Sequence, residues 1–149
     1  MATVCCHIDA EPDAVFAVLA EGWFYSNWVV GTSHVKAVED AWPAAGSKLH
    51  HASGAWPLVA RDETVVEEVQ PGRVLGLLAR GRPLGEARVR IELAPSGAGT
   101  TLTMYEAPVA GPGKWLHNPL TEALLAKRNS ESLTRLTALV ERHTQPSDA

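Results

Sequence analysis

Residues 87–93 read Ala-Arg-Val-Arg-Ile-Glu-Leu, an alternation that few folds can accommodate. Successive side chains of a strand point to opposite faces, so Ala87, Val89, Ile91 and Leu93 share an apolar face and Arg88, Arg90 and Glu92 a charged one. The run 100–106 answers it. Leu102 and Met104 point with the apolar set, while Thr101, Thr103 and Tyr105 lie outward beside the arginines. A sheet with one wet face must cover the dry one. The cover is predicted to be a long helix from about Trp115 to His143, with Pro119 near its start. Leu116, Leu120, Leu124, Leu133, Leu136 and Val140 form its expected apolar stripe, interrupted from Lys127 to Ser132.

The rest of the chain fits around this pair. Thr3 to Asp9 reads as a short strand, and Glu11-Pro12-Asp13 opens a helix carrying Val15, Phe16 and Leu19 at helical spacing. A second short helical stretch, Gly22 to Trp28, is dense in aromatic residues. Turn clusters at Asp40 to Gly46, Gln70-Pro71-Gly72, Gly81 to Gly85 and Pro95 to Gly99 then divide strand-like runs into an antiparallel meander. The expected class is α+β, with about seven strands and two short helices after the first. With 149 residues and no internal repeat or linker, the chain is expected to form a single domain over 1–149, with a frayed tail at 144–149.

Composition removes several function classes. The net charge is −4 and no basic run is longer than Lys127-Arg128, so nucleic acid is not an expected partner. No apolar stretch approaches the roughly 20 residues that span a bilayer. The two cysteines, Cys5 and Cys6, are adjacent and point to opposite faces of a strand, which fits a reduced, cytoplasmic setting. None of the six histidines stands at a ligand-pair spacing, so neither a metal nor another cofactor is expected. The expected oligomeric state is a monomer or a homodimer.

Three segments carry a resemblance: Ile8-Asp9-Ala10-Glu11-Pro12-Asp13-Ala14-Val15-Phe16, Asn27-Trp28-Val29-Val30-Gly31, and Glu68-Val69-Gln70-Pro71-Gly72-Arg73-Val74. With the order of elements, they make nearly the whole chain similar to the helix-grip superfamily of START domains, the birch pollen allergen and small bacterial polyketide cyclase/dehydrase-like (SRPBCC) proteins. The resemblance implies a curved sheet wrapped around the long helix with a cavity between them. It implies, in turn, a small hydrophobic or aromatic molecule as partner.

Candidate site residues follow from which faces turn inward. Glu106 continues the parity of Leu102 and Met104, which places a carboxylate at the inner face near one end of its strand, where it must be paired, hydrated or perturbed. His51 shares the inward parity of Leu49 and leaves His50 outside. Asp62 belongs to the set Trp56, Leu58, Ala60, Asp62, Thr64, Val66, an assignment that a bulge would reverse in favour of Glu63. Glu106, His51 and Asp62 are thus the candidates for acid/base work. Trp28, Trp56, Val89, Ile91 and Met104 are candidate ligand contacts on helix and sheet, with Asn129 and Leu133 on the long helix. Trp23, Tyr25 and Trp42 are further candidates for flat walls. Arg80 and Arg82 flank a turn and are expected in solvent. Gly31-Thr32-Ser33-His34-Val35 lacks the second glycine of a nucleophile elbow, and Gly111-Pro112-Gly113-Lys114 lacks the spacing of a phosphate loop.

Three functions compete on these grounds. Binding a small, largely apolar, ring-containing metabolite demands only apolar walls and a few polar anchors. Cyclisation or dehydration of such a ligand, as in polyketide cyclases, demands an acid/base pair besides. A protein-interaction module demands an exposed apolar patch.

Overall fold

A computed structural model describes residues 2–30, 32–53, 60–81, 85–111 and 118–144. The chain runs β1 (Ala2–Ile8), α1 (Pro12–Leu19), a 3-10 turn (Gly22–Phe24), α2 (Tyr25–Trp28), β2 (Thr32–Val38), β3 (Lys48–Ser53), β4 (Ala60–Gln70), β5 (Val74–Gly81), β6 (Gly85–Ser96), β7 (Gly99–Ala110) and α3 (Pro119–Thr144). The strands form one antiparallel sheet in the order β1-β7-β6-β5-β4-β3-β2, as a meander whose first strand closes on its last. The α+β class and the two short helices after β1 stand as expected, and α3 packs on the sheet.

Local chemistry sets the helix ends. Pro12 occupies the first turn of α1 beside Asp13, where a missing N–H costs nothing and an acid faces the positive end of the helix dipole. Asn118 precedes Pro119 and caps α3, its Oδ1 accepting from the Thr121 amide at 2.9 Å. Gly72, at φ +75°, makes the β4–β5 turn and packs so closely on α1 that a Cβ there would lie 2.5 Å from Asp13 Oδ1.

The register opposes Ile91 to Met104 and Leu93 to Leu102 on the inner face, and Arg90 to Tyr105 on the outer. Outside, Arg88 Nε donates to Glu67 at 2.8 Å and Arg90 donates to both Glu68 and Glu92. Arg90 reaches Glu68 across β5 because Gly76 stands between them in the register; a Cβ there would come within 3.3 Å of Glu68 Cβ. A bulge between Val66 and Glu68 leaves Glu67 as an extra residue of β4.

Inside, Ile8, Leu49, Val66, Leu75, Ile91, Leu102, Leu133, Leu136 and Val140 are almost wholly buried in one core. The stripe expected on the long helix needs correction in its first turns. Leu120 and Leu124 are 70% and 61% exposed, whereas Leu125 faces the interior and Asn129, Ser132, Leu133 and Leu136 are buried. At roughly 100° per residue, Leu120 and Leu124 lie about a quarter-turn or more away from the line through Leu125, Asn129 and Leu136. The expected positions Trp115 and Leu116 fall outside the described residues, as does the tail 145–149.

Candidate functional site

Side-chain volume on the inner face shrinks along two neighbouring strands. β5 presents Leu75, Leu77 and Ala79 in turn, and β6 presents Leu93, Ile91, Val89 and Ala87, with Ala79 directly opposite Ala87. Large aliphatic side chains close the space under α3 at one end, and alanines leave it open at the other. The result is a cavity of about 370 Å³, walled by Leu77, Ala79, Ala87, Val89, Met104 and Pro108 from the sheet. Trp28 and Val29 wall it from the helix side, and Leu125 from α3.

One strip of this apolar chamber is polar. Glu106, 7% exposed, projects from β7 towards α3, where Arg128 Nη2 donates to Oε1 and Oε2 at 2.8 Å each. The same nitrogen lies 3.3 Å from Asn129 Oδ1, and Asn129 Nδ2 is 3.5 Å from Glu106 Oε1. The carboxylate expected at a strand end is therefore mid-wall, because β7 continues to Ala110, and it is ion-paired. Glu106 holds an arginine in place with both oxygens engaged. Ser132 Oγ, one helical turn further on, accepts from the Val30 amide at 3.0 Å and ties the segment after α2 to α3.

A second polar group lies behind the cavity wall. Tyr25 lines the cavity, and its hydroxyl is 3.4 Å from Thr64 Oγ1, which is 3.2 Å from His51 Nε2. The Tyr25 and His51 rings stand 5.5 Å apart. Burial pushes the Tyr25 phenol up and keeps it protonated. Burial also lowers His51, against the opposing pull of Asp62, so its imidazole favours the neutral form. On the far side, His51, Asp62, Arg80 and Glu86 join Lys36, His50 and Glu63 around a polar cleft of about 470 Å³.

The expected site residues divide accordingly. Trp28, Val89, Met104, Glu106, Asn129 and Asp62 line the cavity. Asp62 keeps its inward parity because the bulge in β4 falls beyond it, and Glu63 stays outside with Lys48 and Arg80. Ile91 and Leu133 do not line the cavity: both lie in the filled part of the core, 0% and 2% exposed. His51 faces the cleft and reaches the Tyr25 wall of the cavity through Thr64. Trp56 and Arg82 lie outside the described residues. Of the other aromatics, Trp23 is turned to solvent and Trp42 is buried in the core. Arg80 lines the cavity mouth, paired with Glu63 and Glu86. The residue missed from sequence is Arg128. It stands one turn from both Leu125 and Ser132 on the inward line of α3, and that spacing was the available signal. Among the described residues no three His, Cys, Asp or Glu side chains are grouped to hold a metal, and no helix is long and apolar enough to cross a membrane.

Comparison with known proteins gives the lineage. Solved structures similar to this chain include a protein from Nitrosomonas europaea (18% identity, TM-score 0.73, covering 95% of this chain and 94% of that one). A START superfamily protein from Mycobacterium smegmatis aligns at 14% identity and TM-score 0.72, covering 96% and 98% of the two chains. The di-domain ARO/CYC StfQ from the steffimycin biosynthetic pathway aligns at 12% identity and TM-score 0.71, over 95% of this chain and 50% of that one. At these identities the likeness is one of fold. No curated protein matches in sequence. Residues 2–141 match the family model described as polyketide cyclase / dehydrase and lipid transport. With that match over most of its length, the chain belongs to the polyketide cyclase / dehydrase and lipid transport family, on a fold like that of the START superfamily protein.

Proposed function

We propose that the protein binds a small, largely apolar, ring-containing metabolite in the cavity between sheet and α3, with the ligand's polar edge against Arg128 and Asn129. The observation that carries this reading is the cavity itself: about 370 Å³, with mostly apolar walls, a polar strip at Glu106, Arg128 and Asn129, and the charged groups Asp62, Arg80 and Glu86 elsewhere on its lining. That combination suits a compact amphipathic ligand and orients it. Among the described residues Arg128 donates through Nη2, which leaves further guanidinium donors to meet a carbonyl or hydroxyl oxygen. Trp28, in the wall, reports occupancy. Titration with a panel of aromatic polyketides and fatty acids should quench or shift the intrinsic fluorescence, and Trp28→Phe should remove most of that change while retaining binding. Mass spectrometry of small molecules released from the purified protein identifies the natural occupant. No released compound, no spectral change and no thermal shift across the panel would refute the reading.

The second reading is a cyclase or dehydratase acting on the same ligand. It is favoured by the family description and by the ionisable groups Glu106 and Asp62 on the cavity wall, with His51 behind it. Because Arg128 engages both oxygens of Glu106, that carboxylate is better placed to anchor than to abstract a proton. Glu106→Gln separates the roles. Retained binding with lost turnover of a converted ligand assigns proton transfer to Glu106, and retention of both assigns anchoring.

A further inference from the structure

From the unbroken contact His51 Nε2, Thr64 Oγ1, Tyr25 Oη, we infer that these three side chains form a proton path linking the polar cleft to the ligand cavity. Thr64 is completely buried, and its hydroxyl lies within hydrogen-bonding reach of both neighbours. A hydroxyl donates one proton while accepting another, so it passes charge without holding it. Tyr25 opens to the cavity and His51 to the cleft, and the two voids meet at Asp62, Arg80 and Glu86. Once a ligand fills the cavity and excludes water, the three side chains remain as a connection.

The transfer balances without a co-reactant. A hydronium ion in the cleft gives its proton to His51 Nδ1 and leaves as water, which makes His51 an imidazolium. In one concerted shift Nε2 gives a proton to Thr64, Thr64 gives its own to Tyr25, and Tyr25 gives its own to an anionic oxygen of the ligand. His51 ends as the neutral Nδ1–H tautomer, which a ring flip or tautomer exchange resets, while each hydroxyl again carries one proton and the ligand oxygen is protonated. The reverse run carries a proton out. Burial favours the forward direction, because the imidazolium is held below its usual range and releases its proton readily, while the phenol is held protonated between transfers. The charged groups around His51 are Asp62 opposite it on β4, His50 beside it, and Lys36, Glu63, Arg80 and Glu86 around the cleft. Tyr25 faces it from α2, with Glu106 and Arg128 acting on the phenol from the cavity side.

The use of the path in chemistry rests on the cavity being a ligand site. The test does not, since it reads proton movement in the empty protein. The chain has only two tyrosines, and Tyr105, on the outer face of β7 opposite Arg90, serves as an internal reference. With both labelled by carbon-13 at Cζ, hydroxyl exchange is read from the deuterium isotope shift in mixed H₂O and D₂O. Tyr25 exchange should accelerate as pH falls through the His51 titration. Thr64→Val should slow it by roughly tenfold, about what one hydrogen bond of ordinary strength is worth in a rate. Thr64→Ser should restore it, and Tyr105 should be unchanged throughout. His51→Gln, which keeps a polar side chain, should abolish the pH dependence and carries the test if Thr64→Val does not fold. Unchanged Tyr25 exchange in Thr64→Val, or a pH dependence that survives His51→Gln, would overturn the inference.

Discussion

Replacing Arg128 by Met and Glu106 by Gln, singly and together, closes a thermodynamic cycle around the ion pair in the cavity wall. The guanidinium nitrogen sits 2.8 Å from the carboxylate, whose side chain is 10% exposed against 44% for the arginine. At an effective dielectric of about 20, unit charges this close attract by roughly 6 kcal/mol, much of it offset by the cost of drying the carboxylate. The partners are not equivalent. Arg128→Met strands a carboxylate among apolar walls, whereas Glu106→Gln frees an arginine that already stands half in water. The first substitution should therefore cost about 2–4 kcal/mol and the second about 1 kcal/mol. The double variant should be more stable than the sum of the two costs predicts, by about 1–2 kcal/mol. Urea denaturation of the four proteins at neutral pH measures all three quantities, with unchanged m-values as the check on two-state behaviour. Equal single costs, or strict additivity in the double variant, would refute the reasoning: the pair would then be a solvated contact and the wall not dry.

Two further outcomes follow from burial. Ile91 is fully buried against Met104 and Leu75, so Ile91→Ala should cost about 2–5 kcal/mol in the same denaturation assay, and a cost near zero would overturn the register. His51 should make stability depend on pH in a defined sense. Its folded-state pKa lies below the ordinary value of 6.5, so between the two values the unfolded chain binds more protons and stability rises with pH. The contribution is complete above the unfolded value and is lost as pH falls below it, until the folded state protonates as well. Denaturation midpoints from about pH 5 to about pH 8 should show this fall in the native chain and a flatter profile in His51→Gln.

Parity was readable in the sequence, and depth was not. Alternation at 87–93 and 100–106 assigned the inner face correctly because the opposite face carries arginines and hydroxyls that must stay wet. The same alternation placed Ile91 on the ligand and the helical stripe placed Leu133 there, although both fill the core, since neither period says how far along an element the packing gives out. The shrinking series Leu75, Leu77, Ala79 and Ile91, Val89, Ala87 was present in the sequence, but it becomes a cavity only once the register sets Ala79 opposite Ala87. Arg128 escaped notice because a Lys-Arg pair on a helix reads as a solvated face. Its partner is a carboxylate 22 residues earlier on a strand, and that is a tertiary fact. The helical stripe was misread where Leu120 and Leu124 suggested it, because steps of four residues drift by about 40° each and carry the line away from Leu125.

The bulge at Glu67 does more than bend β4. Ahead of it, Asp62, Thr64 and Val66 point inward; past it, Val69 packs on the core, three residues on rather than two or four. One surplus residue thus lets a single strand serve two phases, one that reaches the cavity with Asp62 and one that packs Val69 on the core. Pairing the strand without the bulge, with every residue kept, would force a choice. With Val69 kept inside, Glu63 and Val65 would turn into the cavity in place of Asp62 and Thr64; with Asp62 and Thr64 kept, Glu68 would be driven into the core. The bulge, by absorbing Glu67 outside the alternation, therefore lets an acid, a hydroxyl and two valines share one face of a single strand without altering the order of any strand around it.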